Sequence, residues 1–130
     1  MAKPASSKRK RKLRVTSDKG RVYVQATFNN TIISITDLQG NVLITGSSGA
    51  AGFKGTRKST PYAATVATQQ AAEQARQAGL KSVDVFVRGV GSGRDAAVRA
   101  LHSSGISISL IQDLTPIPHN GTRPKKARRV

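Results

Sequence analysis

From Arg21 to Phe28 apolar and polar residues alternate: Val22, Val24, Ala26 and Phe28 on one side, Tyr23, Gln25 and Thr27 on the other. A period of two marks a half-buried strand. Asn29-Asn30 follows, and Asn tolerates the positive φ of tight hairpins, so Thr31 to Asp37, with Ile32, Ile33 and Ile35, is the return strand. Gln39-Gly40-Asn41 makes a second turn and Val42 to Thr45 a third strand. A glycine-rich loop from Gly46 to Ser59 then leads to a segment with a period near 3.6. Ala63, Val66, Ala67, Gln70, Ala71, Gln74, Ala75 and Ala78 share one face of that helix. Ser59 or Thr60 caps its start, Pro61 suits the first helical position and Gly79 suits the end. A face made mostly of alanine has little bulk, so the helix must approach a sheet closely.

The period returns to two at Ser82 to Arg88, where Val83, Val85 and Val87 alternate with Asp84 and Phe86. GVGSGR (Gly89 to Arg94) leads into a short helix from Arg94 to Ser103, ended by Gly105. A fifth strand spans Ile106 to Ile111, with Ile106, Ile108 and Leu110 inward, and Pro116, Pro118 and Pro124 keep the remainder extended. The order β-β-β-α-β-α-β predicts an α/β fold: a mixed five-stranded sheet with helices covering its faces. We divide the chain into a basic arm (1–20), an α/β domain (21–114) and an extended basic tail (115–130).

Charge gives this outline a partner. The net charge is +16 in 130 residues. Residues 1–21 carry +8, residues 22–122 carry +3 and residues 123–130 carry +5. A nearly balanced domain between cationic arms points to a polyanion, because Lys and Arg release counterions from nucleic-acid phosphates. Only Leu13, Val15 and Val130 in the arms could insert into lipid, so a membrane is not expected as partner. The chain has no cysteine, and no apolar stretch nears the roughly 20 residues of a membrane span. The basic start lacks an apolar segment behind it, so no signal peptide is expected. An intracellular setting follows, which makes the N-x-T sequences at Asn29 and Asn120 chance matches to a glycosylation site.

The sequence offers little for catalysis. Asp18, Asp37, Glu73, Asp84, Asp95 and Asp113 are scattered, and His102 and His119 have no metal-binding spacing. His102 reads as a helix-end residue and His119 as part of the tail. No catalytic residue, metal, cofactor or small-molecule substrate is expected. GVGSG fails the dinucleotide pattern because Arg94 stands at the third glycine position. Its Gly91 and Gly93 can still let backbone N–H groups meet a phosphate, with Arg94 as a bidentate partner. In the 46–59 loop, Lys54, Arg57 and Lys58 supply charge, and Phe53 either stacks on a base or tucks into the core. Aromatic residues are few, and no pair is evident on adjacent strands. That favours recognition of folded RNA by backbone and groove over stacking of single-stranded bases on the sheet.

Several blocks carry a specific resemblance: VYVQATFNNT (Val22 to Thr31), GFKGTRKSTPYAA (Gly52 to Ala64), VRGVGSGRDAAVRAL (Val87 to Leu101) and DLTPIPHNGTRPKKARRV (Asp113 to Val130). In this order they resemble the bacterial small-subunit ribosomal protein eleven family. The resemblance implies a ribonuclease H-like architecture and a structural role in translation. It implies binding to small-subunit ribosomal RNA on the platform, near the messenger RNA exit path and the Shine–Dalgarno duplex. Small-subunit proteins eighteen, twenty-one and seven are the implied neighbours, and the ribosome in the cytoplasm is the implied location. By the same resemblance, RNA contacts fall on Lys54, Arg57, Lys58, Arg88, Arg94, Asn120, Arg123, Lys125, Lys126, Arg128 and Arg129. Thr122 stands where many relatives have Cys, so a thiol is not needed there. Two other function classes compete with this reading. A nuclease of ribonuclease H type needs an acid on the first strand, and Arg21 to Phe28 has none. A DNA-packaging protein would bind duplex DNA as readily as ribosomal RNA.

Overall fold

Residues 18–129 are described by a computed structural model; the expectation for the arm over residues 1–17 lies outside them. Five strands form one sheet: β1 (Lys19–Ala26), β2 (Thr31–Thr36), β3 (Val42–Ser47), β4 (Ser82–Arg88) and β5 (Ser107–Asp113). The order across the sheet is β3-β2-β1-β4-β5. β1 and β2, and β2 and β3, pair antiparallel, whereas β4 lies parallel to both β1 and β5. This is the mixed α/β sheet expected, with the strand order of a ribonuclease H-like fold.

Helices α1 (Pro61–Gln77) and α2 (Gly93–Ser103) both pack on one face, not on both faces as expected. Handedness explains this. The β3-to-β4 and β4-to-β5 crossovers move in the same direction across the sheet, and right-handed connections then place both helices on the same side. Val22, Val24, Ile33, Ile35, Ile44, Val83, Val85 and Val87 point to that side and are buried. The alternating residues form an open face.

α1 begins as the sequence reads. The Thr60 hydroxyl accepts from the Ala63 N–H, and Pro61 follows. It ends at Gly79, whose φ of +105° a side chain would resist. There the Leu80 N–H reaches the Ala75 carbonyl and the Gly79 N–H the Arg76 carbonyl, while Leu80 itself is buried. The buried stripe, however, is rotated from the expected one. Ala64, Thr68 and Ala72 join Ala63, Ala67, Ala71 and Ala75 inside, whereas Gln70 and Gln74 are exposed and Val66 is half-buried. A helix packed on both a sheet and α2 buries a wider arc, and small residues fill it. The approach is close: a Cβ on Gly46 of β3 would lie 3.2 Å from the Ala71 Cβ.

Three other expectations fail locally. Phe28 is 75% exposed and lies beyond β1, because the Thr27 side chain starts the turn. The Thr27 Oγ1 accepts the N–H groups of Asn29 and Asn30. Neither Asn29 nor Asn30 has a positive φ. In β5, a bulge at Ser109 shifts the pairing, so Leu110 lies opposite Asp84 on the open face. Leu110 is therefore exposed, while Ile106 is buried just before the strand and Ile108 is half-buried.

Candidate nucleic-acid interface

Register shows which loops share an end of the sheet. Ala26 lies opposite Thr31, Gln25 opposite Arg88 and Ile32 opposite Ser47. The exits of β1, β3 and β4 therefore meet, as the parallel strands require. From this end leave the β1–β2 turn, segment 48–60, the β4–α2 turn and the tail. They are tied together: the Ser48 N–H reaches the Thr31 carbonyl, the Gly91 N–H the Ala26 carbonyl and the Ser92 hydroxyl the Ser59 carbonyl at 2.7 Å.

Segment 48–59 is not a loose loop. Its first turn is closed by bonds from Ala51 to Ser47 and from Phe53 to Ser48, and Gly55–Ser59 form a 3-10 turn. Lys54 and Arg57 stand exposed. Lys58 is half-buried, and its stem lies beside Gly49, where a Cβ would be 3.7 Å from its Cε. Phe53 is half-buried and meets the Tyr62 ring edge-on at 5.7 Å, so it neither enters the main core nor stands free.

The β4–α2 turn is built differently. Gly91 and Gly93 are buried. A Cβ on Gly91 would come 2.3 Å from the Thr27 carbonyl oxygen, and one on Gly93 would come 2.2 Å from the Thr31 Oγ1. These glycines let the turn press onto β1, β2 and α1. The N–H of Gly91 is bonded internally, as is that of Gly89 to the Thr115 Oγ1. Arg94 also turns inward. Its Nη1 donates to the Gly89 carbonyl at 2.9 Å and its Nη2 to the Asp113 Oδ2 at 2.7 Å. Arg88, the last residue of β4, is exposed on the open face.

Asp113 anchors the root of the tail. The Thr115 hydroxyl donates to Asp113 Oδ1 at 2.5 Å and the Thr115 N–H donates at 2.8 Å. With the Arg94 guanidinium on its other oxygen, these bonds hold the carboxyl well below the usual carboxylate range. The Leu114 N–H bonds to the Val87 carbonyl at 2.7 Å. From Pro116 to Arg129 the chain is exposed and has no helix or strand. Asn120, at a φ of 60°, bends it before Arg123, Lys125, Lys126, Arg128 and Arg129.

Acidic residues sit mostly away from this end. Asp37 closes the β2–β3 turn at the far end, where the Asn41 and Gln39 N–H groups lower its pKa. Asp84, midway along the open face, pairs with Lys19 at 3.7 Å. Among the described residues no three His, Asp or Glu side chains come together to hold a metal ion. No described helix is long and apolar enough to cross a membrane.

The sequence of the chain matches a family model described as Ribosomal protein S11, over residues 20–129. The chain belongs to the ribosomal protein S11 family. S11 proteins are structural, non-enzymatic components of the small ribosomal subunit, where they bind ribosomal RNA among neighbouring ribosomal proteins. In this S11 protein the sequence pattern did not reveal two arrangements. One is the Asp113–Arg94–Thr115 cluster, for which Asp-x-Thr before a proline was the local signal. The other is an aromatic pair on adjacent strands, contrary to expectation: Tyr23 of β1 and Phe86 of β4 stack with ring centres 5.2 Å apart. Their adjacency depends on the parallel β1–β4 pairing, which joins segments some sixty residues apart.

Proposed function

We propose that this S11 protein is a bacterial one that binds small-subunit ribosomal RNA on the platform, beside the messenger RNA exit path and the Shine–Dalgarno duplex. Proteins eighteen, twenty-one and seven are its neighbours there, and the ribosome that holds it is cytoplasmic. The long resemblance of its sequence blocks supports this placement. Residues 1–20 act as a basic arm, 21–114 as the RNA-binding domain and 115–130 as an extended tail. Lys54, Arg57, Lys58 and Arg88 contact phosphates from the domain. Asn120, Arg123, Lys125, Lys126, Arg128 and Arg129 do so from the tail. Arg94 contributes chiefly by fixing where the tail starts, and Gly91 and Gly93 by letting the turn pack.

The observation that carries this reading is the convergence of segment 48–60 and the tail at one end of the sheet. Many weak phosphate contacts from two rigidly rooted elements select a folded RNA by shape, without a base code. Hydroxyl-radical footprinting of small-subunit ribosomal RNA with the full chain tests it. Protection confined to platform helices is expected. Removing residues 123–130 should erase part of that footprint and reduce the salt slope by about 0.7–0.9 per lost phosphate contact. Protection scattered over the RNA, with equal affinity for duplex DNA, would refute the placement and favour a general polyanion binder.

A further inference from the structure

The open face of the sheet carries a row that the function above does not use. Following the strand register, Thr45, Ser34, Tyr23, Phe86 and Gln112 lie side by side across β3, β2, β1, β4 and β5. Tyr23 and Phe86 stack nearly parallel, 20° between planes. Small polar residues flank the pair on the β2 side. Arg21 and Gln25 stand two residues either side of Tyr23 on the same face, and Arg88 stands two residues beyond Phe86. Gln25 and Arg88 are exposed and Arg21 is half-exposed. Among the described residues neither Arg21 nor Arg88 joins an ion pair, and the nearby Asp84 is matched by Lys19. A small cavity of about 120 Å³ lies between Tyr23, Phe86, Gln25, Arg88 and Leu114, at the root of the tail.

From this arrangement we infer that Tyr23 and Phe86 form a stacking platform for one unpaired base of the bound RNA. The proposal rests on the RNA-binding reading and adds a site to it. Each part has a chemical role. The paired rings offer a π-face to which a base adds as a third layer, over the small side chains of Ser34 and Thr45. The Gln25 amide can donate to and accept from a base edge. Arg21 and Arg88 neutralise the phosphates on either side. A protein partner would be expected to bring an apolar surface, yet the rings are bordered by Arg21, Gln25, Arg88, Ser34 and Gln112. That border suits a nucleotide, whose flat apolar ring is joined to charge. Arg88 also continues the cationic end, so a strand leaving the tail root would pass directly over the rings.

The test compares two probes on the full chain: an unstructured oligoadenylate and an RNA duplex of equal phosphate number. Tyr23→Leu keeps apolar bulk but removes the ring. It should weaken oligoadenylate binding at least about fivefold, as loss of a stacked base does. The salt slope and the duplex affinity should stay as they were, and Tyr23→Phe should bind like the parent. Ultraviolet cross-linking of the parent chain to a 5-bromouridine oligonucleotide gives a readout independent of any variant's folding. It should attach RNA at Tyr23 or Phe86. Equal losses on both probes, unchanged oligoadenylate binding, or cross-links confined to segment 48–60 and the tail would each overturn the platform. Lys54→Ala with Arg57→Ala separates the two readings, because it should weaken both probes and lower the salt slope. If that variant changes neither probe, the wider RNA interface is wrong, whatever the rings do.

Discussion

The connection from β3 to α1 and the connection from β4 to α2 leave the same end of the sheet, and both are rich in glycine. In the first, no atom of the described residues lies within 4 Å of where a Cβ would stand on Gly52 or Gly55, and Lys54 and Arg57 face outward. In the second, a Cβ on Gly89, Gly91 or Gly93 would strike the β1–β2 region at 2.0, 2.3 and 2.2 Å. The one arginine that ends the second connection is bonded to Gly89 and Asp113. The first connection presents charge, and the second closes the fold and roots the tail. Glycine beside basic residues is therefore ambiguous in sequence. It marks either a backbone that a ligand must approach or one that the protein's own interior approaches.

Alanine substitution should separate the two most sharply. Gly89→Ala combines a φ of +105° with a clash against backbone, the Ala26 carbonyl. We expect it to cost about 3 kcal/mol or more in urea unfolding. Gly52→Ala, at a φ of +104° but in open space, should lose only the dihedral term, about 1–2 kcal/mol. Gly93→Ala isolates crowding without the dihedral, and its loss should shrink when Thr31→Ala is added. Similar losses at Gly52 and Gly89 would mean that packing does not distinguish the connections.

The complementary experiment removes charge. Lys54→Ala and Arg57→Ala together, both at exposed positions, should lower the salt slope of ribosomal RNA binding by about 1.5, at 0.7–0.9 per phosphate contact. Stability should change by less than about 0.5 kcal/mol, as for exposed sites generally. An unfolding midpoint that moves as much as for Gly89→Ala would break the comparison from the other side.

Arg94 lies at the boundary between the two behaviours. Arg94→Gln should leave the core intact but loosen the tail root, seen as faster amide exchange at Leu114 and Thr115 and at Gly89. Its partner sets a pH limit. Because the Thr115 and Arg94 bonds hold the Asp113 carboxyl below its ordinary pKa, they favour its charged form. Their stabilisation is complete above the unfolded carboxylate pKa of about 3.9 and is lost as pH falls below it. The difference in exchange rates between Arg94→Gln and parent should therefore narrow in strong acid, leaving only the part that comes from the Arg94 bond to the Gly89 carbonyl. A difference that persists unchanged in strong acid would show that Asp113 is not the relevant partner.

Much of the fold was legible because alternation and helical period are local. β1, β4 and the start and stop of α1 follow from Val22 to Ala26, Val83 to Val87, Thr60-Pro61 and Gly79. What could not be read depends on distant pairing. The one-sided helices, the exposed Leu110 past the Ser109 bulge and the Tyr23–Phe86 pair all follow from how β4 sits against β1 and β5. The cationic residues of the candidate site were legible as charge. Which of them faces outward was not, and Arg94 differs from Arg57 through its bonds to Asp113 and to the Gly89 carbonyl.

A smaller change than the glycine losses, and opposite in sign, should appear on the packed side, where alanine and threonine fill the space between sheet and helices. Thr68 of α1 is fully buried, and its hydroxyl has no hydrogen-bond partner among the described residues. A buried unpaired hydroxyl is costly, and the site already accepts a β-branched shape. Thr68→Val should therefore raise stability by about 1 kcal/mol and leave RNA affinity unchanged. The same exchange at exposed Thr45 on the open face, where water solvates the hydroxyl, should give nothing comparable. A stabilised Thr45→Val with a neutral Thr68→Val would mean that strand propensity, rather than burial of the hydroxyl, decides the response. The close-packed side would then have no claim to be the more demanding half of the molecule.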